Sequence, residues 1–167
     1  EGYRSLADYV GDAKEGQRAI YYLTGGNLDQ LRASPQLEGF RARGVEVLLL
    51  TDSIDSFWVM NAPEFEGKSF KSITQGSADL SQFAKPEGEQ AENKPETTAV
   101  IDDLITFAKL RLTDAVSDVR VSDRLTESAV CLVAFEGGYD RQLEKILQGA
   151  GRIEGASKPV LEINADH

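Results

Sequence analysis

The sequence predicts an α/β front unit linked to an α+β rear unit, and three observations carry that prediction. Short runs of strand-forming residues alternate with helix-like segments in the first half. A stretch without any large apolar residue then interrupts the chain. Beyond it, a helical period comes first and runs of strand formers follow.

In the front unit, residues 1–84, Arg18-Ala19-Ile20-Tyr21-Tyr22-Leu23 is rich in β-formers and stops at Thr24-Gly25-Gly26, so it reads as a strand. Two short helices should follow. Leu28–Ala33 starts after the cap-like Asn27, and Gln36–Arg43 begins behind Pro35 and ends at Gly44. Val45-Glu46-Val47-Leu48-Leu49-Leu50 is nearly continuous in apolar character, which suits a strand covered on both faces and paired in parallel with the first through a right-handed crossover. Ser69–Thr74 reads as a further strand.

Residues 85–96 hold two prolines, four glutamates and no large apolar side chain, so they read as an acidic linker. The rear unit, residues 97–167, opens with a helix. Ile101, Leu104, Ile105, Ala108 and Leu112 fall at helical spacing, and Asp102-Asp103 occupy the first turn, where the helix dipole favours negative charge. Val119–Val121, Ala129–Val133 and Val160–Ile163 read as strands, and Tyr139–Gln148 as a second helix.

Composition excludes several function classes. A net charge of −10, from 28 acidic and 18 basic residues, repels phosphate backbones and argues against nucleic acid as a partner. No apolar run approaches a membrane span, the longest being Val47–Leu50, so no membrane partner is expected. Cys131 is the only cysteine, which rules out an internal disulfide and suits a reducing, cytoplasmic setting. The chain opens on Glu1 without Met, so both ends read as cut from a longer protein.

Catalytic chemistry is hard to find. The one histidine, His167, is the last residue, and one Cys with one His cannot assemble a zinc site of the usual ligands. Thr24-Gly25-Gly26-Asn27 lies between a strand and a helix, where backbone amides can cradle a phosphate, but it lacks the spacing of a dinucleotide fingerprint or a P-loop. Asp52 follows a strand, where open sheets bind ligands, and reads as a cap or turn residue. No catalytic residue and no metal ligand is assigned.

Two apolar clusters stand out. In Tyr139–Gln148, Tyr139, Leu143, Ile146 and Leu147 form one stripe, with Asp140, Arg141, Glu144 and Lys145 opposite. Such a stripe is core by base rate, because leaving a large aliphatic side chain in water forgoes roughly 1.5–3 kcal/mol; exposure would need a partner to explain it. In Phe57-Trp58-Val59-Met60, Trp58 reads as packing for its own sheet. Phe57 and Met60, three apart, share a face on a helical turn, and Met suits adaptable binding surfaces.

Several strings in order carry a resemblance. Glu15-Gly16-Gln17-Arg18-Ala19-Ile20-Tyr21-Tyr22-Leu23-Thr24-Gly25, Ser34-Pro35, Gly44-Val45-Glu46-Val47-Leu48-Leu49-Leu50-Thr51-Asp52, Ile54-Asp55 and Glu64-Phe65-Glu66-Gly67-Lys68 resemble the end of the middle domain of the heat shock protein 90 chaperones. Val121-Ser122-Asp123-Arg124-Leu125-Thr126 and Leu161-Glu162-Ile163-Asn164-Ala165-Asp166-His167 resemble the first part of that family's C-terminal domain, in its bacterial form.

The resemblance implies an ATP-driven, homodimeric chaperone of the stress response that binds partly folded client proteins. Its ATP and magnesium site lies outside this chain, so the chain is expected to be no enzyme and to hold no cofactor. The dimerisation helices follow the segment matching Leu161–His167, so this piece is expected to be monomeric or weakly associating. Co-chaperones are further partners of the whole protein.

For client binding, the resemblance implies Ser56, Phe57 and Met60 beside Tyr139, Leu143, Ile146 and Leu147. This helix has no methionine where the family is often Met-rich, and Ser56 and Phe57 replace an acid and a larger aromatic. A rival reading is a small α/β domain binding a nucleotide or phosphate through Thr24–Asn27 and Asp52. A third is a purely structural connection between the ATPase part and the dimer interface.

Overall fold

The computed structural model describes residues 4–62, 64–75, 80–83, 95–135 and 138–167. Helix α1, Leu6–Gly11, starts at a capping box in which Ser5 and Asp8 satisfy each other's backbone amides. Strand β1, Ala19–Thr24, is buried along its whole length. Helix α2, Leu28–Arg32, is capped by the Asn27 side chain, which accepts from the Gln30 amide as its sequence position predicts. A 3-10 turn at Pro35–Leu37 leads into α3, Glu38–Ala42, and Gly44 follows at φ +63°, a conformation that favours glycine.

Strand β2, Leu48–Leu50, helix α4, Asp55–Asn61, the hairpin of β3, Glu64–Phe65, with β4, Lys68–Ser72, and a 3-10 turn at Leu80–Gln82 complete the front unit. Its sheet runs β2-β1-β4-β3, with β1 parallel to both β2 and β4, and β3 antiparallel to β4. The expected strand 45–50 is therefore shorter than predicted and lies at the sheet edge, half-buried; the fully covered strand is β1. Ala19, Tyr21 and Leu23 point one way from β1 into a core with Leu31, Leu37, Phe40, Val45 and Ile73, where the Tyr21 and Phe40 rings lie 5.0 Å apart.

The rear unit begins with α5, Pro95–Arg111, so Pro95 and Glu96 open a helix and the rest of the expected linker, residues 85–94, lies outside the described residues. Strands β5, Asp118–Val121, β6, Val130–Val133, and β7, Val160–Ile163, form a sheet of order β5-β7-β6, parallel then antiparallel. Ile105, Ala108 and Leu112 pack against Val116, Val119 and Ile163, as their spacing predicts, whereas Leu104 is exposed because it falls outside the arc facing the sheet. Helix α6, Arg141–Gly149, begins two residues later than the predicted Tyr139, because Asp140 caps it.

The two sheets are tied at their ends. Gln75 and Ala134 form a parallel bridge, and the Ala134 amide donates to the Thr74 carbonyl at 2.6 Å. Alternate residues of β1 divide between two surfaces: while Tyr21 and Leu23 face the apolar core, Tyr22 and Thr24 lie beneath α4 and the start of α6.

Candidate functional site

The contact surface between the units is built on polar groups at the C-terminal ends of β1 and β4. Asp140 is the residue before α6, and its Oδ1 accepts from the Gln142 and Leu143 amides at 2.9 and 3.4 Å, the usual work of an N-cap. The same carboxylate accepts from three front-unit hydroxyls: Thr24 Oγ1 at 2.7 Å on Oδ1, and Ser72 Oγ at 2.6 Å and Thr74 Oγ1 at 2.7 Å on Oδ2. Asp140 and the three hydroxyl-bearing residues are all buried. Both oxygens of the side chain are thus engaged, Oδ1 by Thr24 and the two amides and Oδ2 by Ser72 and Thr74.

This overturns one expectation from the helical period. Asp140 and Glu144, assigned to the solvent side of α6, are both buried. Glu144 Oε1 accepts from the Ser157 amide at 2.7 Å and from the Ser157 hydroxyl, tying α6 to the loop before β7. Asp140 was open to recognition as an Asp standing just before an amphipathic segment, a cap signature.

Beside Asp140 lies a cleft of about 180 Å³ lined by Tyr22, Thr24, Ser56, Val59, Met60, Gln75, Gly138, Tyr139, Asp140 and Leu143. Four of the seven residues anticipated for client binding therefore meet around one cleft, two from each unit: Ser56, Met60, Tyr139 and Leu143. Met60 is 54% exposed and Tyr139 46%. Phe57, 37% exposed, sits on the outer side of α4, and Ile146 and Leu147 are half-buried further along α6; none of the three lines the cleft.

The stripe on α6 is thus not uniformly wet. Leu143 and Ser56 are each only 2% exposed, which corrects the expectation that they form part of an open surface. Leu143 falls on the turn of α6 that docks against the front unit, so it is core at the junction. Ser56 lies on the buried face of α4, and its Oγ has no hydrogen-bond partner among the described residues. Trp58 packs edge-on to Phe70 at 5.2 Å, the sheet-packing role its position suggested, while remaining 40% exposed.

Tyr22 is a further lining residue that the sequence did not single out. Burial, aided by the nearby Asp140 charge, pushes its hydroxyl up to about 12, so it remains a donor at neutral pH.

At the other end of the junction, Glu38 on α3 projects into the rear unit. Its Oε2 accepts from three successive amides, Thr126 at 2.8 Å, Glu127 at 2.9 Å and Ser128 at 3.1 Å, and Oε1 accepts from the Ser128 hydroxyl. Burial alone would raise the Glu38 carboxyl, but these donors outweigh it and hold the group below its ordinary value.

Between the two ends, Arg124 is fully buried, donates through Nη1 to the Ile73 carbonyl at 2.5 Å, and places Nε 2.9 Å from Glu162 Oε2. Glu162, in the middle strand of the rear sheet, also pairs with Arg120 at 2.7 Å and accepts from Ser122 Oγ at 3.0 Å. Cys131 lies against it, and burial, reinforced by that carboxylate, pushes the thiol up to about 12, so it is an inert packing group. A Glu flanked by apolar strand residues in Val160-Leu161-Glu162-Ile163 was the available sign of a buried charge with a partner.

The phosphate-binding rival loses its groups to these contacts. Thr24 is engaged by Asp140 and Asn27 by the α2 cap, and Asp52 Oδ1 accepts from the Ile54 amide at 3.0 Å in a turn, as the sequence suggested. Among the described residues, no group of three or more His, Cys, Asp or Glu side chains is placed to hold a metal, and no helix is long and apolar enough to cross a membrane.

Two mixed sheets are clamped together through buried charges, with an apolar-walled cleft at their junction. The family model described as "Hsp90 protein" matches residues 1–167, and the chain belongs to that family. Its relatives include bacterial proteins named "Chaperone protein HtpG". That of Rhizobium etli is 70% identical over 168 residues, covering 100% of this chain and 26% of the relative. Those of Rhizobium meliloti and Nitrobacter winogradskyi are 68% and 59% identical over 164 residues, each covering 98% of this chain and 26% of the relative. The chain spans about a quarter of the length of these relatives.

Proposed function

We propose that this chain contributes the client-binding surface of a bacterial chaperone and couples the part that hydrolyses ATP to the part that dimerises. The observation that carries the reading is the cleft at the junction, where Met60 of α4 and Tyr139, just before α6, stand partly exposed over the buried Val59 and Leu143 beside a polar base. Half-exposed Phe57, Met60 and Tyr139 offer apolar area to a non-native chain without the cost of opening a core. The family membership and the HtpG relatives support the same assignment.

Coupling follows from the clamped junction: with Asp140, Arg124 and Glu38 all crossing it, a rotation of one unit carries the other. ATP, magnesium and dimerisation belong to the whole protein, with co-chaperones as further partners and the cytoplasm as its setting.

Binding of a permanently unfolded, reduced and alkylated protein, followed by fluorescence anisotropy, tests the reading. Met60→Asp with Tyr139→Asp should weaken binding about tenfold while leaving the melting transition in place, because both side chains are largely on the surface. Undiminished binding by that double variant would remove the cleft from the function.

A further inference from the structure

The cleft carries chemistry beyond apolar capture. Its base is the Asp140 carboxylate, whose five donors are all neutral hydroxyls and amides. No ion pair reaches Asp140 among the described residues, and no Lys or Arg lines the cleft. A buried negative charge without a cationic partner is uncommon and favours a positive ligand nearby.

A second, independent feature points to the same occupant. The Ser56 hydroxyl is buried at the cleft with no hydrogen-bond partner among the described residues, and a buried polar group left unpaired favours an occupant that supplies one. Tyr22 lines the same space. Around these polar groups stand Val59, Met60, Leu143 and the Tyr139 ring, an apolar collar suited to methylene groups and an aromatic face suited to a cation. The volume of about 180 Å³ holds roughly six waters, or one long side chain.

We propose that the cleft is a subsite for a lysine or arginine side chain of a bound non-native polypeptide. The stem of that side chain lies along Met60, Val59 and Tyr139, and its cation faces the Ser56 hydroxyl and the Asp140 carboxylate. This inference rests on the polypeptide-binding reading above and specifies which segments that surface prefers: apolar stretches punctuated by a basic residue. The overall charge of −10 steers such segments toward the chain, and the cleft selects among them.

The test uses three peptides with identical apolar flanks and a central lysine, norleucine or glutamate, titrated into the chain by fluorescence anisotropy. Norleucine keeps the stem and removes the charge, so the lysine peptide should bind about tenfold tighter than it, and the glutamate peptide weakest, if the cation is recognised. Ser56→Ala should cut the lysine-over-norleucine ratio to about threefold, and Asp140→Asn, which keeps a capping side chain, should bring it close to one. Should Asp140→Asn lose its near-ultraviolet dichroism, the Ser56→Ala ratio decides alone.

Equal or tighter binding of the norleucine peptide overturns the proposal, as does a lysine preference that Ser56→Ala leaves unchanged, which would trace it to the general acidity of the surface. If the unfolded protein binds but no lysine preference appears, the subsite is wrong and the polypeptide-binding reading stands. If neither the peptides nor the unfolded protein bind, both fall.

Discussion

Asp140 reaches from the rear unit into the front one at one end of the junction, and Glu38 reaches from the front unit into the rear one at the other. Asp140 is buried, caps a helix and is held mainly by side-chain hydroxyls from two segments, the ends of β1 and β4. Glu38 is half-exposed and is held by the consecutive residues 126–128 of a single loop. The difference is one of replaceability. Water can take over from Glu38 at its open end, whereas the three hydroxyls that Asp140 satisfies belong to buried residues and lose their acceptor where bulk solvent reaches them poorly.

The strongest way to break this comparison is to remove the residue between the two ends. Arg124→Ala leaves Glu162 buried with a single cationic partner and the Ile73 carbonyl without its donor. It should cost about 3–5 kcal/mol in urea unfolding, because a buried charge loses the fully buried one of its two cationic partners. A smaller loss than that of the next variant would move the weight of the junction onto Asp140.

Asp140→Ala removes a helix cap, about 1 kcal/mol, and orphans buried hydroxyls for a further 1–3 or so, giving roughly 2–4 kcal/mol. The same measurement on Glu38→Ala should give about 1 kcal/mol, since the freed amides can turn to solvent. If Glu38→Ala proves the costlier of the two, the distinction between a buried end and a wet end is wrong.

Acid titration gives the smallest and most selective effect. The Glu38 carboxyl is held below its ordinary value of 4.5 in the folded chain. Its contribution to stability is therefore fully present above that pH and is lost as the pH falls through the depressed value, because the unfolded chain then binds the proton more readily. Glu38→Gln should flatten that part of the stability profile, so that the gap between wild-type and variant stays constant above pH 4.5 and closes as the pH falls below it.

Much of the frame was legible in the residues because local rules govern it. The β-branched and aromatic run at Ala19–Thr24, the Asn27 cap, the glycine at position 44 and the α5 period each produced the element they predict. Val45–Leu50 misled because a continuous apolar run reads as doubly covered, whereas β2 closes one edge of its sheet and only three of its residues pair. The seven anticipated contact residues were placed in the right neighbourhood, but their exposure was not readable. Whether Leu143 is wet depends on docking against a unit more than a hundred residues away along the chain, a separation of 116 between Thr24 and Asp140. The bonds from Ser72 and Thr74 to Asp140 are single hydroxyl contacts across 68 and 66 residues, and such contacts leave no period or spacing in a sequence.

Gly39 gives the junction one more property. A methyl group placed there would lie 2.7 Å from both the Cα and the carbonyl oxygen of Arg124, so main chain meets main chain with no side chain between them. Rotamers cushion most joints by shifting to absorb small tilts, and this one has none to shift. The two halves meet at a hard fulcrum, at which a swing started on one side is delivered whole to the other.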